Sequence, residues 1–202
     1  MTLQESWIAE TLAELARRGE SIRETNDFAP NSTSQFAEES VALPDAQDSW
    51  ADRPIALAVR AGTAHLMFAE SHLRALAANF QVGLQDDPPV RAASRQILEA
   101  SAYAHWLLDP IIDERERARR GLEEARYAIE DRSKSIHKNF LDSGHTEIGD
   151  WSGDSLLQAI EATKARLNFD ILETRPKAAV ALDSILPPLA VVPWQVAYAA
   201  DG

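Results

Sequence analysis

The sequence predicts an all-α fold, an antiparallel helical bundle of about five to six helices with a long irregular segment after the first. Two observations carry that expectation. Apolar residues recur at alternating steps of four and three over two long stretches, the spacing that lines one side of a helix. Runs that alternate apolar and polar residues, the mark of a half-buried strand, are scarce throughout.

Thr2 and Glu5 form a capping box ahead of Ile8, Leu12, Leu15 and Ile22, which places a first helix over residues 1–24. Residues 25–52 are rich in Asn, Ser, Asp, Glu and Pro with scattered Phe28, Phe36 and Trp50, show no period, and read as a linker or lid. Residues 53–202 then form the bundle core. Asp52 and Pro54 open a second helix, whose seam is Ile55, Val59, Gly62, Leu66, Ala69, Leu73, Leu76 and Phe80, with Gly83 as its stop. Gly62 and Ala69 are small enough to let another backbone approach, so this helix pairs either within the chain or across a homodimer. Asp87 and Pro88 start a third helix with Ile97, Ala100, Ala104 and Leu108 on one stripe, closed by Pro110. A fourth, over residues 112–140, carries Ala118, Leu122, Ala125, Ile129, Arg132, Ile136 and Phe140 on its seam. After a glycine-bearing loop, Leu156, Ile160, Thr163 and Leu167 mark an amphipathic helix, and Pro176 and Pro187-Pro188 bracket a short last one.

Composition narrows the function classes. The chain has 202 residues, 45% apolar and 26% charged, as a globular domain has. No apolar run reaches the ~20 residues that span a bilayer, and no basic segment followed by a long apolar run stands at the N-terminus, so a cytoplasmic protein is expected, with no membrane partner. The absence of cysteine removes disulfides, thiolate metal sites and cysteine nucleophiles. The net charge of −12 repels phosphate backbones at long range, and much of it sits in residues 1–52, where eleven acids face three bases. No phosphate-cradling glycine loop, dinucleotide fingerprint or nucleophile elbow is present.

Four constellations remain. Arg132 lies on an otherwise apolar seam, where an arginine must be paired, snorkel to the surface or line a polar site, and His137 follows five residues later. An arginine followed after four to six residues by a histidine resembles the signature of HEPN-type domains, all-α bundles that often dimerise. Their ribonuclease members use that pair on RNA, so the resemblance implies Arg132 steadying phosphate charge and His137 moving a proton as candidate catalytic residues. Arg60 and His65 share the spacing. Residues 91–131, with Leu98-Glu99-Ala100 and Trp106-Leu107-Leu108-Asp109-Pro110, are similar to a widespread group of helical bacterial proteins without assigned activity, which implies a fold and no chemistry.

Arg95, Glu99, Tyr103 and Trp106 fall on one side of the third helix at steps of four, four and three, with His105 alongside. They form either a small-molecule pocket with an aromatic wall, closed by residues 25–52, or an ion pair beside a packed tryptophan. Asp142, His145, Glu147 and Asp150 are acids and a histidine in one loop, but neither helical metal-ligand spacing nor a calcium-loop pattern occurs, so no metal and no cofactor is expected. Arg115, Arg117, Arg119, Arg120 and Arg126, interleaved with Glu114, Glu116, Glu123 and Glu124, read as a solvated face laced by ion pairs. The balance points to a helical binding module, self-associating or taking a helical protein partner, with a HEPN-like ribonuclease and a small-molecule enzyme as alternatives.

Overall fold

The computed structural model describes residues 3–26, 33–42, 53–83, 88–142 and 153–168, with side chains described over 6–21, 33–39, 53–83, 88–131 and 153–168. They form six helices: α1 (Leu3–Asn26), α2 (Gln35–Ala42), α3 (Pro54–Gln81), α4 (Pro88–Leu108), α5 (Glu114–Asp142) and α6 (Asp154–Leu167). No strand occurs among the described residues, and no helix among them is long and apolar enough to cross a membrane. The expected all-α class is what the chain adopts. The bracketed helix between Pro176 and Pro188, and the apolar residues after it, lie outside the described residues.

Two compact units divide these helices, and the division cuts across chain order. One unit joins α1 to the part of α3 from Ala64 and the part of α4 up to Trp106. The other joins α2 to α3 up to Thr63, to the end of α4 from Leu107, and to α5 and α6. Apolar surface decides this grouping, because α1 alone has no partner for its own buried line.

In the first unit Leu76, Val90 and Ala93 form a core with Leu12, Phe80 and Ile97 packed on it. The pairings run in opposite directions: His65 meets Tyr103 near one end while Leu76 meets Val90 and Ala93 near the other, so α3 and α4 are antiparallel. Leu12 lies by Leu76 and Phe80, whereas Gly19 approaches the Glu70 side chain and Glu20 pairs with Arg74 at 3.0 Å, so α1 is antiparallel to α3 as well. On α1 the buried line runs through Ala9 and Ala16, while Leu15, expected on the inner face, is half exposed. The small residues permit the close approach, and the buried line sits one position round from the predicted one.

In the second unit Ile55, Ala118, Leu122, Ile160 and Leu167 form the core, with Leu57, Ala125, Ile129 and Ala159 against it. Arg115 donates to the Leu167 carbonyl and Arg126 faces Glu161, which makes α5 and α6 antiparallel. Leu156, expected on the apolar side of α6, is 40% exposed and precedes Ala159 and Ile160, where the helix joins that core. Four consecutive residues of α5, Gly121 to Glu124, are all buried. At 3.6 residues per turn they cover the whole circumference, so α5 is the central rod of its unit.

Gly62 and Gly121 mark the tight approaches. A methyl at Gly62 would fall 2.5 Å from Leu108 Cγ, so the small position on the α3 seam is filled from within the chain. A methyl at Gly121 would collide with the Pro54 carbonyl oxygen and lie 2.8 Å from the Ala58 amide nitrogen, backbone atoms that cannot rotate away.

Candidate interaction surface

The helix α2 falls inside the segment expected to be an irregular linker or lid. Eight residues are too few for an autonomous helix, and the structure shows what holds them. Ser34 caps its start, its hydroxyl accepting from the Ala37 amide at 3.3 Å and its carbonyl from Glu38 at 3.1 Å. Glu39 then reaches Arg117 of α5. Arg117 donates Nε–H to Glu39 Oε2 at 2.5 Å and an Nη2 hydrogen to Oε1 at 3.3 Å. Its remaining bonds go to the Leu107 carbonyl at 2.9 Å and the Asp109 carbonyl at 2.8 Å, at the C-terminal end of α4. Phe36 covers the guanidinium from 4.6 Å. Gln35 completes the cluster by donating to Glu39 at 2.8 Å and to the Pro110 carbonyl at 3.2 Å.

This cluster corrects the solvated reading of the charged run on α5. Arg117 is fully buried, and Glu123 and Glu124 are buried too. The alternation of acids and bases continues around the helix, but α5 is packed on every side at its centre, so some charges must point inward. Asp113 caps α5 by accepting from the Glu116 amide at 2.8 Å. Around that first turn Arg119 and Arg120 both reach Glu116, at 2.5 and 2.7 Å, and Arg119 also bonds Glu123. Burial pushes the Glu116 carboxyl up, but hydrogen bonds from Arg119 and Arg120 outweigh it and hold the group below the ordinary carboxylate value. Arg119 is raised in turn, chiefly by its bond to Glu116. The Arg117 cluster joins α2, α4 and α5, while in the Arg119 cluster Glu123 keeps one buried carboxylate oxygen, Oε2, without a hydrogen bond among the described residues, as does Glu124 beside it.

The residues read either as a pocket lining or as an ion pair beside a packed tryptophan all lie on α4. Arg95 and Glu99 form an ion pair at 2.8 Å with Arg95 57% exposed. Tyr103 is half-buried, its ring 5.5 Å from that of His65 on α3. Trp106 is buried and His105 half-buried. The arrangement is an ion pair with a packed tryptophan further along the same helix. Arg132, His137 and Asp142 lie on the backbone of α5 but outside the residues whose side chains are described, and His145, Glu147 and Asp150 lie outside the described residues. Among the described residues no group of three or more His, Asp or Glu side chains is placed to hold a metal ion.

One surface stands apart. The solvent side of α3 presents Ala64, Met67, Phe68, Ser71, Arg74, Ala75, Ala78 and Gln81, with Val82 just past its last turn, every one exposed. Arg74 is the one charged member, and its charge is matched by Glu70 and Glu20. Met67 is 43% exposed, Phe68 48% and Val82 69%. The His72 ring stands edge-on to Phe68 at 4.4 Å between ring centres, which fixes the phenyl group in place. The exposed side of α1 differs in charge, setting Trp7 and Leu15 among Glu10, Arg17 and Arg18. Sequence periodicity finds the buried seam of α3 and misses this second stripe, because α3 is apolar over most of its circumference and one seam masks the other.

No family model matches the chain, and no curated protein or solved structure does either.

Proposed function

We propose that this chain is a helical binding module, without catalytic activity of its own, that docks an apolar helical partner on the solvent side of α3. The observation that supports it is the composition of that side. In a chain of net charge −12 with 26% charged residues, a nineteen-position helical face from Ala64 to Val82 exposes one charged residue, and that one is already paired. Exposed faces are normally charged, and contiguous apolar ones mark interaction sites.

The test is the double substitution Met67→Glu with Phe68→Glu, read by thermal unfolding and by fluorescence of an apolar dye at high dilution. The wild type binds the dye; the variant loses that binding while its stability changes by about 0.5 kcal/mol or less, as for surface positions. A loss of several kcal/mol would mean that the face is packed inside the protein, and the reading fails.

A further inference from the structure

We infer that the partner on this face is a second copy of the same chain, its α3 lying antiparallel to the first. The inference rests on the binding-module reading and names its occupant.

Ala64, Phe68, Ser71, Ala75, Ala78 and Val82 follow one another at steps of four, three, four, three and four, the spacing of a coiled-coil seam, and all six are exposed. The order of large and small side chains along that seam matters. In an antiparallel pair the two positions of the repeat meet each other, so residues whose numbers are symmetric about position 73 face across the interface. Phe68 then meets Ala78 of the second copy, Val82 meets Ala64, and Ser71 meets Ala75. Every layer sets a larger side chain against a smaller one, which is how facing layers interdigitate at native density. A parallel pair would stack Phe68 on Phe68 and Ala75 on Ala75, crowding one layer and leaving a void at the next.

Charge favours the same occupant. Two molecules of net charge −12 repel each other, so self-association needs a contact zone without acids. This seam has none. Glu70 lies beside it but is only partly exposed and is bonded to Arg74. Close to the symmetry axis the two copies of Arg74 come near each other, and the Glu20 and Glu70 carboxylates that hold each guanidinium offset that repulsion. Met67 and Gln81 flank the seam on the same side, where an apolar stem and an uncharged amide cover its rim. A seam of six residues from Ala64 to Val82 is about 27 Å long at 1.5 Å per residue, five helical turns of contact.

The chain contains no cysteine, so introduced thiols report cleanly. In the proposed register Ala64 of one copy lies opposite Val82 of the other, while the two Ala64 positions stand about 27 Å apart. Full-length Ala64→Cys and Val82→Cys proteins are mixed and oxidised gently. A disulfide-linked dimer from the mixture, and none from either variant alone, is the expected result. Sedimentation of the cysteine-free protein shows a dimer that dissociates on dilution, with Phe68→Glu weakening association by about tenfold or more. Linked dimers from either single variant alone would place the copies parallel and overturn the register. A protein that stays monomeric at all concentrations, yet still binds the apolar dye in the manner described above, would overturn the second copy and leave the binding module standing with another occupant. Loss of stability in Met67→Glu with Phe68→Glu would instead show that the chain's own residues cover the face, and both statements would fall together.

Discussion

Arg117 has no contact with water, and what makes that tolerable is the completeness of its bonding: a carboxylate, two carbonyls at the end of α4, and a phenyl face. Removing one member of a buried pair strands the other, which costs about 3–5 kcal/mol. Arg117→Ala should lower stability by that amount in urea unfolding. The paired change Arg117→Met with Glu39→Leu should recover most of the loss, because neither charge is then left behind. Glu116 gives the pH dependence. Its folded value lies below the ordinary carboxylate value, so its contribution is complete above about pH 4.3 and disappears as the pH falls through the folded value. Thermal midpoints of the wild type and Glu116→Gln, measured from about pH 7 to pH 3, should therefore differ at neutral pH and converge at the acid end. Arg117 could not be singled out in the sequence, since neighbouring charges one position apart point in directions 100° apart and nothing local says which is inward.

At the scale of elements, long helices were legible and short ones were not. The start of α3 at Pro54 and the end of α4 at Leu108 agree with the cues at Pro54 and Pro110, because proline chemistry is local. The helix α2 escaped because one pair of turns shows no period, and its stability comes from Arg117, 78 positions away in sequence. Gly121 is the other local signal that went unread. A glycine in the middle of a helical pattern costs stability unless another backbone comes close, and here the Pro54 carbonyl and Ala58 amide do. Gly121→Ala improves intrinsic helix propensity, yet it should destabilise the protein by about 1–3 kcal/mol through overpacking, and chemical denaturation will show the sign. Gly62→Ala is the milder comparison, because the Leu108 side chain it meets is able to turn.

For the whole molecule, the all-α class follows from periodicity alone, but the partition into units does not. A stripe on one helix says that it buries something and leaves open against which helix. Thus α1, which reads as an appendage, shares a core with α3 and α4, while α3 contributes to both units. The candidate surface was half legible for the same reason. Gly62 and Ala69 raise the idea of close helix pairing, and the structure turns both inward and reserves Phe68, Ala75 and Val82 for the solvent side. On α4 the spacing offered an ion pair beside a packed tryptophan as one of two readings, and Arg95 pairs with Glu99 while Trp106 is buried.

The burial of Gly121 to Glu124 on all sides bears on how this protein comes apart. A rod gripped around its full girth cannot leave until its neighbours have gone, so α2 and α6 must peel away before the middle of α5 meets water. Amide protons in that stretch should then be the slowest of their unit to exchange, and those of α2, a helix of eight residues held by its side-chain contacts to Arg117 and Pro110, among the quickest. Loss of the small helix would be the earliest sign of wear, visible while the spine behind it still stands.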